Sequence, residues 1–413
     1  MSIVGRRYGR GLVIGGGIAG SVAAMALQRV GIECTIFESN PGPSDGVGAF
    51  LTVASNGLDA LQAIDAHRPV VAAGVRTERM VLSSGTGKFL GTIEAGVPLT
   101  DGSTTTTLER ARLHRVLHDE ARRRGIPILH GKRLVGIEET VTSVVARFAD
   151  GSAEEGGFLV GGNGIWSATR SLLDPRAPCP EYAGLLGIGG RARGVELDAD
   201  PSTFEMIFGA RAFFGFLPVD RRDVLWFANL PIRPEPERAD LASVSARAWK
   251  ERLVETFAGD AFPARELIEA TEDGALRTAT MHTLEPPESW SRGRCVLVGD
   301  AAHVTSPSSG QGAALAMEDG VELARCLRDR PDLASAFGAF QDLREGRVRR
   351  ILRAARRTNS DKAAGPVGRA IRDAVMPMMM RWMASPTRQL WLLGHHIDFT
   401  GAVGGPKALL AAA

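Results

Sequence analysis

Three short segments of this 413-residue chain carry residue types whose spacing could do chemistry. The stretch "CVLVGDAAHVTSPSSGQGAALAMED", Cys295 to Asp319, ends an apolar run in an acid, then passes through Pro307 and Gly310, Gln311 and Gly312 into an Ala-rich helix. An acid just beyond the carboxyl end of a buried strand lies where ligands of open α/β sheets collect. Asp300 could therefore bind polyol hydroxyls, while the positive end of the following helix faces developing negative charge. A second segment, "GGGIAG", places Gly15, Gly17 and Gly20 in G-x-G-x-x-G spacing, with Ile18 and Ala19 between the last two. Such glycines permit a tight turn, close approach of a pyrophosphate to a helix N-terminus, and close helix-to-strand packing. Alone the motif is weak and compatible with a turn that binds nothing. Glu38 strengthens it by ending the next apolar run, where a carboxylate can bind ribose hydroxyls. These glycines do not distinguish FAD from NAD. The acid and helix N-terminus around Asp300 do, because they suit a ribityl chain and a reducible isoalloxazine ring, and so point to a flavin.

The elements that must hold these residues follow from periodicity. "GLVIGG" reads as a short buried strand, "IAGSVAAMALQRVG" as a helix closed by Gly31, and "IECTIFES" as a second strand, together one βαβ unit. Leu108 to Arg124 has the pattern of an amphipathic helix, and "PILHGKRLVGIEE" and "VTSVVARFADGS" that of strands, the latter with an Asp150-Gly151 turn. "GFLVGGNG" is again a buried strand ending in glycines. From about Asp174 to Pro287 the character turns to β segments separated by turns, with one helix near Ser243 to Phe257. The fold expected is α/β: a Rossmann-like domain with an inserted, mostly antiparallel β-sheet domain and a helical C-terminal part. The boundaries read as 1–75, 100–173 and 288–365 for the nucleotide-binding domain, 76–99 and 174–287 for a substrate-binding domain, and 366–413 for the C-terminal helical segment.

Composition narrows the function classes. The net charge is +2 with both signs interspersed, so bulk charge demands neither nucleic acid nor an anionic membrane. Cys34, Cys179, Cys295 and Cys326 have no C-x-x-C spacing, which reads as a reduced, cytoplasmic protein. The basic N-terminus before an apolar run mimics a signal sequence, but three consecutive glycines break the run and no cleavage site is clear, so export is rejected. No apolar stretch is long enough to span a bilayer.

At "GDAAHVTSPSSGQG", "GGGIAG" with Glu38, and "LVGGNGIWSATR", the chain resembles the single-component FAD-dependent aromatic hydroxylases, the group A monooxygenases similar to para-hydroxybenzoate hydroxylase. The resemblance runs from about Gly11 to Arg357 and keeps the order and approximate spacing of the motifs. It implies that Asp300 binds the ribityl chain, that the loop from Pro307 to Gly312 lies against the flavin ring, and that Arg110 reaches the FAD. It also implies that Gly48, in "GVGAFLTVASNGLDAL" (Gly46 to Leu61), borders the isoalloxazine, and that Leu134 and Asn163 belong to the cofactor site. The implied reaction uses NAD(P)H to reduce the flavin and O2 to form a C4a-hydroperoxide, from which one oxygen passes to the substrate by hydroxylation or epoxidation. No protein nucleophile is needed, and no catalytic residue is identified. The expected partners are a small apolar substrate and O2, with no nucleic acid, and the chain a monomer or homodimer.

One departure stands out. The family usually carries Asp-Gly where this chain has Asn163-Gly164, which could alter use of the reductant. Alternatively, the amide keeps hydrogen-bonding capacity in an equally tight turn, the reading preferred here. An FAD-bound oxidase, cyclase or isomerase is the competing function, whereas a flavin-dependent halogenase would need a W-x-W-x-I-P segment that is absent. His303 reads as part of a structural turn. His114 and His118, four apart on one helix, lack further metal ligands and read as packed or solvent-facing; His395, His396 and Asp398 decide nothing. Seven arginines between Arg344 and Arg357 read as an exposed helix face. The apolar "AVMPMMMRWMASPTRQLWLL" reads as packing against the body or lining an adaptable pocket. Phe213, Phe214, Phe216 and Trp226 are candidate walls of an apolar substrate site, with core packing an equal explanation.

Overall fold

The computed structural model describes residues 3–42, 50–306, 309–361, 366–383 and 386–404, so that Gly48 and Pro307 lie outside the described residues. At its centre the strand Gly11–Ile14 is buried at all four positions, which is why it is apolar throughout. It pairs in parallel with Cys34–Phe37 on one side and Phe158–Gly161 on the other. Ile128–Leu129 and Cys295–Leu297 extend the sheet in parallel at the two sides, and Ser291–Arg292 closes it antiparallel. The helix Ile18–Arg29 makes the first crossover, and the helix Gly312–Asp329 lies on it. A Cβ at Gly320 would stand 2.7 Å from the Ala23 nitrogen, so this helix crossing is as close as only glycine permits.

A second sheet has seven strands in the order Arg277–Thr283, Glu181–Arg193, Asp223–Pro231, Phe213–Asp220, Thr203–Phe208, Arg79–Ser84 and Phe89–Glu94. All neighbours are antiparallel except Thr203–Phe208 with Arg79–Ser84. Side chains alternate across such a sheet and give it two distinct faces. One face buries Phe214, Phe216 and Trp226 against Trp249, Leu253 and Phe257 of one helical layer and Leu267 and Ile268 of the next. There Trp226 stacks on Phe214 at 5.6 Å and donates its indole N–H to the Thr271 hydroxyl at 2.8 Å. The other face carries Phe204, Met206, Phe213 and Phe227, and the strand Phe50–Val53 brings Phe50 against it.

The C-terminal helices are Leu333–Asp361, Pro366–Met383 and Pro386–Leu393. In the arginine-rich stretch of the first, Arg350, Arg353 and Arg356 are exposed as its composition indicated, but two other arginines turn inward. Arg344 is 1% exposed and bridges Glu318 and Asp319, both fully buried, at 2.5 and 2.7 Å. Arg347 joins Glu318 at 2.8 Å and donates to the Trp391 and Leu392 carbonyls, so two arginines spaced one helical turn apart face inward because buried carboxylates await them. In the methionine-rich helix, Met376 and Met380 pack on Leu90, Phe208 and Phe213. No described helix is long and apolar enough to cross a membrane.

Candidate functional site

Two glycines of the first turn are required by close packing of the chain's own backbone, and the third, Gly17, has open space at its Cβ position except for His114 at 4.0 Å. Gly15 has φ +99, and a Cβ there would lie 2.7 Å from the Gly162 carbonyl oxygen and the Asn163 Cα. A Cβ on Gly20 would lie 1.9 Å from the Gly15 oxygen. Gly16 is held at both ends: its N–H donates to Glu38 Oε2 at 2.8 Å, and its carbonyl accepts from His118 Nε2 at 2.5 Å. The other Glu38 oxygen accepts from the Asn40 N–H at 2.8 Å. Gly17 begins the helix in extended geometry with no side-chain cap, which leaves Ile18, Ala19 and Gly20 in the first, uncapped helical turn. Uncapped N–H groups beside a turn open to close approach fit a diphosphate.

His118 is a site residue that the sequence reading left as a packed or solvent-facing histidine. Its spacing from His114 was visible, but nothing local shows that the helix Arg110–Arg123 lies against the glycine turn. His114 stands 4.0 Å from where a Gly17 Cβ would be. Burial, reinforced by the charge of Arg110, pushes its imidazole down to about 4, so it is neutral at ordinary pH.

Asp300 follows the buried strand Cys295–Leu297 in a short 3-10 turn. At Gly299, φ is +59 and a Cβ would meet the Ala19 Cβ at 2.8 Å, which brings the acid's turn against the first helix. Asp300 remains partly accessible, and its carboxylate accepts no hydrogen bond from the described residues. Its dense surroundings push its pKa up, while Arg110 and His303 oppose the rise. Arg110 is itself exposed and donates to no described acceptor. A carboxylate and a guanidinium near enough to interact, both with hydrogen-bonding capacity left over, fit a ribityl chain and its phosphate. Beyond them Gly310 has φ +62, with nothing within 4 Å of its Cβ position, and Gln311 opens the helix Gly312–Asp329 without a side-chain cap. The Gln311 side chain accepts instead from Asn56 Nδ2 at 3.0 Å. Gly57 packs so closely on the same helix that a Cβ would reach Ala314 at 2.9 Å, which ties the Phe50–Leu61 segment to the Gly312 helix. His303 donates to Asp319 Oδ2 at 2.8 Å, and the Gly299 N–H reaches that same oxygen at 2.8 Å, so this histidine braces the turn.

Asn163 uses its amide oxygen to accept the Ser167 hydroxyl at 2.6 Å, and Ser167 in turn caps the helix Ala168–Leu173 through the Arg170 N–H. Arg170, 4% exposed, donates to the Ile165 and Ala301 carbonyls and so ties the middle motif to the Asp300 turn. The role needs an acceptor oxygen at 163, which an amide supplies as well as a carboxylate. Leu134 is 5% exposed and sits in the core at the start of the strand Leu134–Glu139.

Of the four candidate substrate-site aromatics, only Phe213 lies on the sheet face that meets Phe50. Phe214, Phe216 and Trp226 lie on the opposite face, inside the helix-covered core. The cluster on the other face is Phe50, Phe204, Phe213 and Phe227, with successive ring centroids 5.9 to 6.0 Å apart, and Met376 and Met380 cover part of that face at Phe213. Phe50, Met206 and Phe227 are only half-buried. Arg191 crosses from this sheet to Glu109 at 2.7 Å, immediately before Arg110, and so couples the aromatic face to the helix Arg110–Arg123. Among the described residues no group of His, Cys, Asp and Glu could hold a metal ion.

Comparison with known proteins agrees with this geometry. The sequence model of a family described as "FAD binding domain" matches residues 10–330. The aurachin C monooxygenase/isomerase of Stigmatella aurantiaca is 31% identical over 341 residues, 82% of this chain and 85% of that protein. The FAD-dependent urate hydroxylase of Klebsiella pneumoniae subsp. pneumoniae is 30% identical over 350 residues, 84% of this chain and 89% of that one. The crystal structure of Klebsiella pneumoniae HpxO complexed with FAD and uric acid superposes with a TM-score of 0.80 at 27% identity, covering 92% of this chain and 97% of that one.

Proposed function

The chain belongs to the FAD-binding-domain family of flavin-dependent monooxygenases, and we propose that it passes one atom of O2 to an apolar, electron-rich organic substrate held against the Phe50, Phe204, Phe213 and Phe227 cluster. That cluster is the observation that carries the substrate class, because it offers ring faces and edges next to the cofactor-side strand and few groups to orient a highly polar ligand. By name, one relative is a monooxygenase/isomerase of aurachin C and another a hydroxylase of urate, which supports oxygen transfer to an organic substrate; the apolar class rests on the aromatic cluster.

FAD, when bound, supplies the electron transfer and oxygen activation, with NAD(P)H as the reductant usual for this family. The chain's own residues do the rest. Glu38 orients the glycine turn through the Gly16 N–H and presents carboxylate oxygen to ribose hydroxyls. The uncapped turn from Gly17 to Gly20 takes the diphosphate, Asp300 and Arg110 take the ribityl chain and its phosphate, and the Gly310 to Gly312 turn borders the ring. Phe213 and its partners exclude water, which keeps reactive oxygen from being lost to solvent. In this reading segments 76–99 and 174–287 form the substrate-binding domain, and the protein works in the cytoplasm, in keeping with four free thiols. A tailoring step on a polycyclic or isoprenoid compound matches the apolar face.

The test is a panel of phenols, quinolones and prenylated rings incubated with NAD(P)H under 18O2. One labelled atom per product is expected; product oxidised without label sinks the proposal.

A further inference from the structure

Two sheets turn faces toward each other at the aromatic cluster. In the smaller one the strand Phe50–Val53 pairs antiparallel with Thr106–Glu109, which sets Phe50 opposite Glu109 and Thr52 opposite Thr107. Side chains alternate along a strand. Leu51, Val53 and Leu108 go into the main core, so Phe50, Thr52, Thr107 and Glu109 take the other face. That face meets the seven-stranded sheet, because Phe50 packs on Phe204 and Phe227 and Glu109 pairs with Arg191. Thr52 stands two residues, about 7 Å, along the strand from Phe50, and it is only half-buried.

The Thr52 hydroxyl is the outer member of a row. Its Oγ1 lies 2.9 Å from Thr107 Oγ1, which lies 2.8 Å from Thr77 Oγ1, and Thr77 donates to the Val75 carbonyl at 3.4 Å. Thr77 and Thr107 are fully buried. Each hydroxyl carries a single proton and two lone pairs. With the Thr77 proton on Val75, Thr107 must donate to Thr77, and Thr52 to Thr107. Thr52 then presents lone pairs, and no proton, outside the row. Because the row ends on a backbone carbonyl, which takes up no proton, it orients a hydrogen bond and is no route for removing a proton.

We propose that Thr52 is a specificity-determining residue that accepts a hydrogen bond from an O–H or N–H on the substrate while the substrate's ring packs on Phe50, with Thr107 and Thr77 as positioning residues that fix the direction of its hydroxyl. This rests on the reading of the protein as a monooxygenase with its substrate at the aromatic cluster. An O–H or N–H on a ring feeds lone-pair density into it, the more so when its proton leans on an acceptor, and electron-rich rings are what electrophilic oxygen transfer needs. A buried acceptor of fixed direction also rejects the same ring without the donor, because that acceptor is then left unpaired.

The experiment is turnover of the FAD-loaded enzyme under 18O2 with a phenol, a naphthol and a 4-quinolone, each beside its O- or N-methyl counterpart. It compares the wild type with Thr52→Val, Thr52→Ser and Thr77→Val. The readout is the ratio of kcat/KM for the donor compound to that for its methylated counterpart. The wild type should favour the donor compounds, and Thr52→Val, which keeps the shape and removes the hydroxyl, should cut the ratio about tenfold, the worth of one hydrogen bond. Serine should retain the ratio. Thr77→Val, which touches no ligand, should shrink it, since the two remaining hydroxyls can then point either way. A Thr52→Val or Thr77→Val enzyme with the wild-type ratio overturns the proposal, and so does a Thr52→Val enzyme that loses both forms equally. If the wild type puts labelled oxygen into none of these compounds, the functional reading fails and the role of the row with it; if it labels them and the valine variants keep its ratio, only the role of the row fails.

Discussion

Replacing Arg344 with leucine tests whether the buried ion cluster, more than apolar packing alone, holds the cofactor-side turn. Arg344 is 1% exposed and makes bonds of 2.5 Å to Glu318 and 2.7 Å to Asp319, both 0% exposed. Leucine conserves much of the volume but leaves Glu318 with Arg347 and Asn56, and Asp319 with His303 and the Gly299 N–H. Removing one partner from a buried ion pair costs about 3–5 kcal/mol, because the abandoned charge stays desolvated. Total stability of a protein is only about 5–15 kcal/mol, so the urea midpoint of the holoenzyme, followed by circular dichroism and flavin fluorescence, should fall steeply. Arg344→Leu combined with Glu318→Gln and Asp319→Asn should recover part of the loss, since it removes the two abandoned carboxylate charges, while Arg347 keeps the Trp391 and Leu392 carbonyls. The pH dependence has a definite sign. Burial pushes both carboxyls up, but Arg344 with Arg347 at Glu318, and His303 with Arg344 at Asp319, more than offset this and hold them below the usual range. Depressed carboxyls contribute stability above the unfolded pKa of about 4 and lose it as pH falls through the native values. Arg344→Leu should therefore begin acid unfolding at higher pH than the wild type. A loss under about 1 kcal/mol, or a triple variant no more stable than the single one, would refute the reasoning.

Gly20→Ala puts a methyl where the Gly15 oxygen already stands, 1.9 Å away; the protein should purify with little FAD, read as the ratio of flavin to protein absorbance. Ser167→Ala removes the helix cap and the Asn163 partner and should cost about 1 kcal/mol, whereas Asn163→Asp keeps the acceptor and should move thermal stability by no more than about 0.5 kcal/mol. A larger loss from Asn163→Asp would show that the amide N–H groups matter. His114 and His395, both pushed down to about 4 mainly by burial, resist a proton that the unfolded imidazole takes near 6.5. Each therefore contributes stability above about pH 6.5 that is lost as pH falls toward 4, about 3 kcal/mol per histidine. The urea midpoint of the apoprotein should drop between pH 7 and 5, and His114→Asn should flatten that drop; a variant that tracks the wild type contradicts it.

The local sequence determined the parallel-sheet part of this protein and its glycine turn. A four-residue apolar strand, a G-x-G-x-x-G turn and a strand-ending acid are set by steric and capping rules that act over a few residues, so the tight turn at Gly15 and Gly20 and the strand-end positions of Glu38 and Asp300 could be read directly. What depends on contacts between distant segments could not be. His118 reaches the Gly16 carbonyl across 102 residues. Arg344 reaches Asp319 across 25, and its inward turn is invisible in a run of seven arginines because a helix shows charge composition, not what lies opposite it. The aromatic strand Phe213–Asp220 makes the limit plainest. Period-two alternation puts Phe213 on one face and Phe214 and Phe216 on the other. It does not say which face the helices cover and which meets the Phe50 strand; that was decided by the helices that pack on Phe214 and Trp226 and by Phe50 against Phe213's face, because burial of a sheet's two faces is settled only when its layers pack.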